Sequence, residues 1–161
     1  MLPPTLDEEW LEADGLGGFA SGTTSGIRTR RYHALLLAAI TPPTGRVVLV
    51  NGWDAWIETA TGAYPLSTHQ YAPDVWHPDG RTRIAWFDPE PWPRWRYRLE
   101  DGTKIEQELF VHHGAPVAVL SWRLLGRRRG VTLGMRPLLS DRKSTRLNSS
   151  HIQKSRMPSS A

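Results

Sequence analysis

Cysteine is absent from the 161-residue sequence, so disulfide bonds and thiolate metal sites are excluded. Long apolar runs are absent as well, because the longest, residues 34–40, is far shorter than the ~20 residues of a membrane-spanning helix. The N-terminus, MLPPTLDEEW, lacks the basic and apolar stretches of a secretory signal. These absences predict a cytoplasmic protein without a membrane partner.

Residues 141–161 lack every pattern of a folded segment. The sequence DRKSTRLNSSHIQKSRMPSSA shows neither the apolar period of a helix nor the alternation of a strand. It resembles a translated sequencing adapter, which reads DRKSTRLNSSH in one frame. A genuine disordered tail rich in Ser, Lys and Arg is the alternative. We expect residues 141–161 to be an artefactual disordered tail and residues 1–140 to form the domain.

Net charge is also absent once that tail is set aside. The chain carries 20 Lys and Arg against 16 Asp and Glu, a formal charge of +4. The tail holds five of the basic residues and one of the acidic ones, which leaves 15 of each in residues 1–140. A domain without a basic excess lacks the electrostatic footprint of a nucleic-acid-binding protein. We therefore expect no nucleic acid partner.

No segment of ten or more residues shows the 3.6-residue apolar period of a helix. Roughly nine strand-like runs, separated by Gly, Pro and Asp-Gly turn signals, follow one another instead. Short strands at this spacing are typical of sandwiches. The sequence predicts an all-β fold, an antiparallel β-sandwich of two large sheets. The run at 131–139 adjoins the tail, so we expect the sandwich to be truncated at its C-terminal end.

The clearest hairpin spans residues 94–111. Charged and apolar residues alternate over 94–100, Asp101-Gly102 supplies a turn, and 103–111 forms the returning strand. Residues 46–59 predict a second long strand, in which Asn51-Gly52 forms either a bulge or a turn. Among the eight Trp residues, the strand positions of Trp56, Trp95 and Trp122 favour a place in the core.

Residues 9–39, EWLEADGLGGFASGTTSGIRTRRYHALLLAA, join a Gly-rich loop to an apolar strand. The glycines permit positive φ angles and close backbone approach. The apolar half, 31–40, predicts a strand with Arg31 and His33 on one face and Arg30 and Tyr32 on the other. A guanidinium at such a junction suits binding hydroxyl groups or orienting a carboxylate of another domain. Alternatively, these side chains satisfy buried carbonyls of the Gly-rich loop.

This stretch resembles the opening of the bacterial and archaeal glycogen-debranching-enzyme family, the amylo-α-1,6-glucosidases, with its pattern EWL-x-x-NGLGGYASGT…TRRYHGLL. Further matches follow in order: Pro42-Pro43, YAPDVWHPDG from Tyr71, PWPRWRY from Pro91, ELFVHHG from Glu108 and MRPLL from Met135. Asp14 stands where the family usually has Asn, and Ala34 where it has Gly. VNGWDAWIE replaces an acidic LEE-like segment. The resemblance spans about residues 9–140.

The resemblance implies an N-terminal β-sandwich domain that precedes an (α/α)6 barrel, and the barrel carries the glucosidase chemistry. We therefore expect this chain to support and partly wall the cleft for an α-glucan, such as glycogen or limit dextrin, and to be inactive alone. The candidate substrate-binding residues come from the Gly-rich stretch and from two aromatic loops: Asp14, Gly15, Gly17, Gly18, Arg30, Arg31, Tyr32, His33, Trp76 and Trp92.

Catalytic and metal clusters do not stand out. Glycoside hydrolysis needs two carboxyl groups flanking the bond, and pairs such as Glu106–Glu108 or Asp88–Glu90 are typical of solvated surface. His112-His113 lack a third ligand at the spacing of a zinc site. No phosphate-loop or dinucleotide motif is present. We predict no catalytic residue, no metal site and no cofactor.

Two other classes of function stay open. A stand-alone carbohydrate-binding β-sandwich module would have the same strand-rich sequence without an enzyme attached to it. A basic nucleic-acid-binding β-barrel is disfavoured by the balanced charge of residues 1–140.

Overall fold

A computed structural model of the chain describes residue 5, residues 7–140 and the backbone of residues 153–156. Regular structure in this part is almost entirely β, with a single 3₁₀ turn at Arg81–Arg83. The strands are β1 (Glu9–Ala13), β2 (Phe19–Thr23), β3 (Ala34–Thr41), β4 (Thr44–Thr59), β5 (Gly62–Pro65), β6 (Thr68–Tyr71), β7 (Val75–Asp79), β8 (Ile84–Asp88), β9 (Arg94–Arg98), β10 (Lys104–Val111), β11 (Ala118–Leu125), β12 (Thr132–Leu139) and β13 (Gln153–Arg156).

The strands form two main antiparallel sheets. The larger has the order β1-β2-β3-β4-β12-β13, with β5 also paired to β4, and the smaller has the order β11-β10-β9-β8. A separate hairpin of β6 and β7 follows β5 in sequence. The prediction of an all-β, antiparallel sandwich is confirmed.

The core lies between the two main sheets. Trp10 of β1 and Trp95 of β9 meet edge to face, with ring centroids 5.6 Å apart. Trp95 also donates a hydrogen bond of 2.9 Å to the carbonyl of Thr24, which ties the smaller sheet to the larger. Ile57, Ile105 and other aliphatic side chains fill the space around this pair.

The hairpin predicted at residues 94–111 is present as β9 and β10. Its alternation places Trp95, Tyr97 and Leu99 in the core, whereas Arg96 and Arg98 face solvent. The predicted strand at 46–59 is β4, and Asn51 is skipped in its pairing with β12, so Asn51-Gly52 is a bulge. Trp122 packs partly against the core, but the core position predicted for Trp56 was wrong, because Trp56 is half-buried and lies outside the core cluster. These elements were predictable because alternation and turn residues are local signals.

Two strands of the larger sheet lie where the composition indicated irregular backbone. Residues 9–23 form the β1–β2 hairpin, with Trp10 paired to Gly22 and Glu12 to Ala20. The predicted start of β3 was wrong by three residues, because 31–33 form a turn before the strand begins at Ala34. Glycine is depleted in strands and serine is common in turns, so the many Gly and Ser residues here indicate a loop by composition.

The segment assigned to an artefactual tail lies mostly outside the described residues. Its described part, 153–156, is a strand paired with Thr132–Met135 of β12, where the sequence predicted no element. A sheet edge offers unpaired N–H and C=O groups to any extended segment, and composition does not reveal such pairing. The domain boundary at residue 140 and the origin of the tail stay predictions.

Across the part of the chain that the structure describes, no helix has the length and apolar character needed to cross a bilayer.

Candidate functional site

The loop at residues 14–18 closes on itself. The buried carboxylate of Asp14 accepts hydrogen bonds from the backbone N–H groups of Leu16, at 2.7 Å, and Gly18, at 2.9 Å. The Asp14 N–H in turn donates to the Gly18 carbonyl at 3.0 Å. The carboxylate of Asp14 is therefore bound by the backbone of its own loop.

The glycines of this loop are required by close packing. Gly15 and Gly17 have φ angles of 77° and 99°, which L side chains rarely adopt. A Cβ atom on Gly17 would lie 2.6 Å from the carbonyl oxygen of Pro43, and one on Gly15 would collide with the His113 ring. The described surroundings thus explain Asp14, Gly15, Gly17 and Gly18 without a ligand, and their assignment to substrate binding stays a prediction.

Residues 30–33 form a tight turn, closed by a 3.1 Å hydrogen bond from the His33 N–H to the Arg30 carbonyl. The strand-like alternation expected for Arg31 and His33 was therefore wrong. His33 is buried, whereas Arg30, Arg31 and Tyr32 are exposed. The turn directs one side chain inward and three outward, a division that a strand would not produce.

His33 holds this turn through its ring. Nδ1 accepts hydrogen bonds from the N–H groups of Thr29, at 3.2 Å, and Arg30, at 3.4 Å. Nε2 lies 3.7 Å from a carboxylate oxygen of Glu9, which also binds Arg30. Burial lowers the pKa of His33, although Glu9 opposes this. A neutral ring is required for Nδ1 to accept, so His33 satisfies backbone N–H groups instead of the carbonyls considered in the sequence analysis.

The pKa of His33 predicts acid sensitivity. Because the folded pKa lies below the unfolded value of about 6.5, its stabilising contribution is present above pH ~6.5 and is lost as pH falls toward the folded pKa. Urea unfolding at pH 7.5, 6.0 and 5.0 should show a smaller pH dependence for His33→Asn, whose amide oxygen can replace Nδ1. His112→Asn, at an exposed histidine, serves as the control. Equal slopes for all three proteins would contradict this role.

The two halves of the Gly-rich stretch are not neighbours. Residues 14–18 adjoin the Ala13–Phe19 pair, and residues 24–33 follow Thr23, which pairs with Glu9 at the opposite end of the same hairpin. Five paired residues separate the two ends by about 13 Å at ~3.3 Å per residue. The two loops therefore lie at opposite ends of β1 and β2 and do not form one continuous wall.

An open polar cleft of about 630 Å³ lies between the 27–33 segment, the β6–β7 hairpin and strands β4 and β12. Three of the residues predicted from sequence reach it, namely Arg30, Arg31 and His33. Its other polar and charged lining residues are Arg28, Asn51, Asp54, Thr68, His69, Gln70, Tyr71, His77 and Arg136. The cleft thus combines groups from four separate parts of the chain.

Asp54 of β4 is the carboxylate among the lining residues of this cleft. One of its oxygens pairs with Nε2 of His69, and the other accepts from Nε of Arg136, at 3.0 Å, and from a terminal nitrogen of the same guanidinium. Burial alone would raise the pKa of Asp54, but the hydrogen bonds from His69 and Arg136 hold it below its ordinary value. The charged form of Asp54 is therefore favoured, and its two carboxylate oxygens are bound by His69 and Arg136.

Sequence reasoning missed Arg28, Asp54 and Arg136, and did not assign His69 to a functional site. A usable signal existed, because Asp54 stands between Trp53 and Ala55 in a long apolar strand. Arg136 likewise interrupts the last apolar strand. A charge within such a strand needs a partner when it is buried. What the sequence did not indicate is which strand carries that partner.

The remaining predicted residues lie away from the cleft. The ring of Trp76 is covered by the guanidinium of Arg81, 3.8 Å from its centroid. Trp92 packs on Phe110, with centroids 5.6 Å apart. Tyr32 is 53% exposed and lines a smaller recess, of about 290 Å³, together with Arg30 and His33. No ligand contact tests these three aromatic residues, so their role stays a prediction.

Three of the four carboxylates weighed as catalytic pairs, Glu106, Glu108 and Asp88, lie close to arginines. Glu106 binds Arg96 at 2.8 Å, and Arg123 lies near both Glu106 and Glu108. Asp88 binds Arg94 at 2.5 Å. Within the described residues, no group of three or more His, Cys, Asp or Glu side chains is arranged to hold a metal ion.

The arginine-rich turn at Arg127–Arg129 is held through Arg128. Arg128 donates to the carboxylate of Asp101 at 3.0 Å and to the hydroxyl of Thr103 at 2.8 Å. These bonds connect the turn to the neighbouring β9–β10 turn. Arg128 is therefore a structural link between two hairpins.

Fold and cleft together define the class as an antiparallel β-sandwich domain with an open, arginine-rich cleft beside its larger sheet. The family model described as "Glycogen debranching enzyme N terminal" matches residues 8–159. The chain therefore belongs to the glycogen debranching enzyme N-terminal family, as its motifs predicted. Comparison with curated proteins and with solved structures gave no match.

Proposed function

We propose that this domain forms part of the substrate cleft of a glycogen debranching enzyme that hydrolyses α-1,6-glucosidic branch points of glycogen and related α-glucans. The catalytic acid and base are supplied by an (α/α)6 barrel domain of the same enzyme. The domain itself supports the cleft and contributes hydrogen-bond donors to its wall. Family membership supports the enzyme context.

The observation that carries the proposal is the cleft of about 630 Å³ with its polar lining. Its volume lies within the ~300–1,000 Å³ usual for ligand sites. Exposed guanidinium groups of Arg28 and Arg31 offer planar arrays of donors for sugar hydroxyls. Tyr71, 58% exposed at the same cleft, offers a flat apolar face to a sugar ring.

The lining also supports a non-catalytic role. Glycoside hydrolysis by the usual route needs two carboxyl groups on either side of the bond, one of them protonated. Asp54 is the carboxylate among the described lining residues, and hydrogen bonds from His69 and Arg136 favour its ionised form. Asp54 is thus suited neither to donating a proton nor to attacking a sugar.

The 161-residue chain is expected to release no glucose from a branched limit dextrin. The physical reason is that the described lining residues of the cleft include no free pair of carboxylates. Released glucose is measured against a heat-denatured sample of the same protein. Turnover that disappears in an Asp54→Asn variant would contradict the proposal, because it would place the chemistry in this domain.

Weak binding of a linear maltooligosaccharide to the chain is expected, and Tyr71→Ala should weaken it about five-fold or more, because stacking contributes on the order of 1 kcal/mol. Titration with maltoheptaose, followed by NMR shifts of cleft residues, measures both. Arg127→Gln, outside the cleft, is the control.

A stand-alone carbohydrate-binding module would instead bind the glucan as tightly alone as when joined to a barrel. Comparing the affinity of this chain with that of the barrel-containing enzyme therefore separates the two functions.

A further inference from the structure

The cleft concentrates positive charge in a domain that is otherwise balanced. Its described lining residues include Arg28, Arg30, Arg31 and Arg136, with Asp54 as the carboxylate among them. Glu9, at the rim, neutralises Arg30. With the histidines neutral, this leaves an excess of about two positive charges, whereas residues 1–140 carry 15 basic and 15 acidic side chains.

Neither carboxylate is available to balance the remaining arginines. Both oxygens of Asp54 are bound by His69 and Arg136, and Glu9 binds Arg30. In the described part of the chain, no carboxylate lies within ion-pair distance of Arg28 or Arg31. The guanidinium of Arg31 has the ring of Tyr32 beside it, 5.6 Å from the centroid.

The environment of Arg28 is unfavourable for its positive charge. Although the residue as a whole is exposed, partial desolvation lowers the pKa of its guanidinium, and the more distant carboxylate of Asp54 only partly opposes this. A partly desolvated cation without a close partner is unfavourable until an anion binds beside it. The electrostatic environment of the cleft therefore favours the binding of a negatively charged group.

A neutral glucan does not account for this charge, because hydroxyl groups are bound equally well by neutral donors. A phosphate monoester does, since guanidinium groups bind its oxygens in bidentate fashion through charge-assisted hydrogen bonds. Tyr71 lies at the same cleft with 58% of its surface exposed, and its ring can cover the apolar face of the attached sugar.

We propose that this cleft binds a sugar phosphate monoester, with Arg28 and Arg31 on the phosphate and Tyr71 against the sugar ring. The ligand is either a free hexose phosphate or a phosphorylated glucose unit within an α-glucan. The sugar part of this inference rests on the proposed function. The anion part rests on the charge of the cleft alone.

The test is a calorimetric titration of the full chain with glucose 6-phosphate, maltose and inorganic phosphate at low ionic strength and again at 150 mM salt. Glucose 6-phosphate should bind at least ten-fold more tightly than either other ligand, and added salt should weaken it. Maltotriose carrying a 6-phosphate on one glucose unit separates the two sources. If this phosphorylated maltotriose binds more tightly than glucose 6-phosphate, the ligand is a phosphorylated glucan. If it binds more weakly, the ligand is the free hexose phosphate.

Arg28→Gln and Arg31→Gln should each weaken glucose 6-phosphate at least ten-fold, and should weaken maltose by a smaller factor because only the phosphate is charged. Arg127→Gln, at an exposed arginine outside the cleft, should affect neither ligand. Circular dichroism and thermal midpoints establish that each variant is folded. Equal affinity for maltose and glucose 6-phosphate would overturn the anion assignment, and equal affinity for inorganic phosphate would overturn the sugar assignment. Failure of maltoheptaose binding with intact phosphate binding would count against the glucan function instead.

Discussion

Replacing Trp95 with alanine is expected to lower the free energy of unfolding by about 3–5 kcal/mol, the cost usual for removing a buried Trp. Trp95 is 2% exposed and packs against Trp10 of the opposite sheet and Phe87 of the adjacent strand. Its indole N–H also satisfies the carbonyl of Thr24. Alanine would leave both a cavity and an unpaired carbonyl between the two sheets.

Urea denaturation of the full chain measures this loss, and the sequence offers a matched control three residues away. Trp92 is 37% exposed and contacts Phe110 at the surface, so Trp92→Ala should cost less than about 1 kcal/mol. Trp95→Phe retains most of the volume and removes the hydrogen bond, and should fall between the two. Similar losses for Trp92→Ala and Trp95→Ala would mean that Trp95 does not join the sheets.

Trp95 illustrates what was predictable from sequence. Its place in the core follows from period-two alternation beside an Asp-Gly turn, both of which are read over a few residues. The same local signals located β9 and β10, and marked Asn51-Gly52 as a bulge or a turn, of which the structure contains the bulge. Features encoded within about ten residues were recovered well.

The β1–β2 hairpin was not recovered, because its buried polar residues look like loop residues. Thr23 is fully buried and donates through its hydroxyl to the carbonyl of Ile27 at 2.7 Å. Thr24 is also buried, and its hydroxyl donates to the carbonyl of Glu8 at 3.2 Å. Such bonds offset the cost of burial, but composition does not reveal them. Composition alone therefore does not identify polar residues that are buried within a sheet.

The cleft was recovered only in part, for a topological reason. Asp54 and Arg136 are 82 positions apart and meet because β4 pairs with β12 in the larger sheet. No local pattern specifies that pairing. The motif at 30–33, by contrast, supplied three lining residues, since a conspicuous run of polar side chains at the end of a loop is visible in sequence.

Two residues of the motif at 30–33 have different roles, although the motif was interpreted from the sequence as one site. Arg31 lines the cleft with its side chain exposed, whereas His33 is buried and binds the backbone of its own turn. From the sequence alone, ligand binding and internal hydrogen bonding were alternatives for the whole segment. The geometry assigns internal hydrogen bonding to His33, and Arg31 is the residue on which the ligand hypothesis now depends.

In a debranching enzyme that carries this domain, Arg31→Ala is expected to lower kcat/KM on branched glucan by roughly ten- to a thousand-fold, or about 1.4–4 kcal/mol of transition-state stabilisation. Stability should change little, because Arg31 is exposed and its described contact is the ring of Tyr32. His33→Ala should do the reverse. It leaves the N–H groups of Thr29 and Arg30 without their acceptor, at a cost of about 1–3 kcal/mol, while specific activity of the folded enzyme stays close to normal.

Unfolding midpoint and kcat/KM are measured on the same preparation of each variant, with Arg127→Ala as the control for general loss of positive charge. The expected pattern is loss of activity without loss of stability for Arg31→Ala, and the opposite for His33→Ala. Arg31→Lys adds a further discrimination, since it keeps the charge but not the planar array of donors, and partial activity would show that the fork geometry matters. An Arg31→Ala enzyme that is destabilised but fully active would remove Arg31 from the site and leave the turn at 30–33 as scaffold for the cleft.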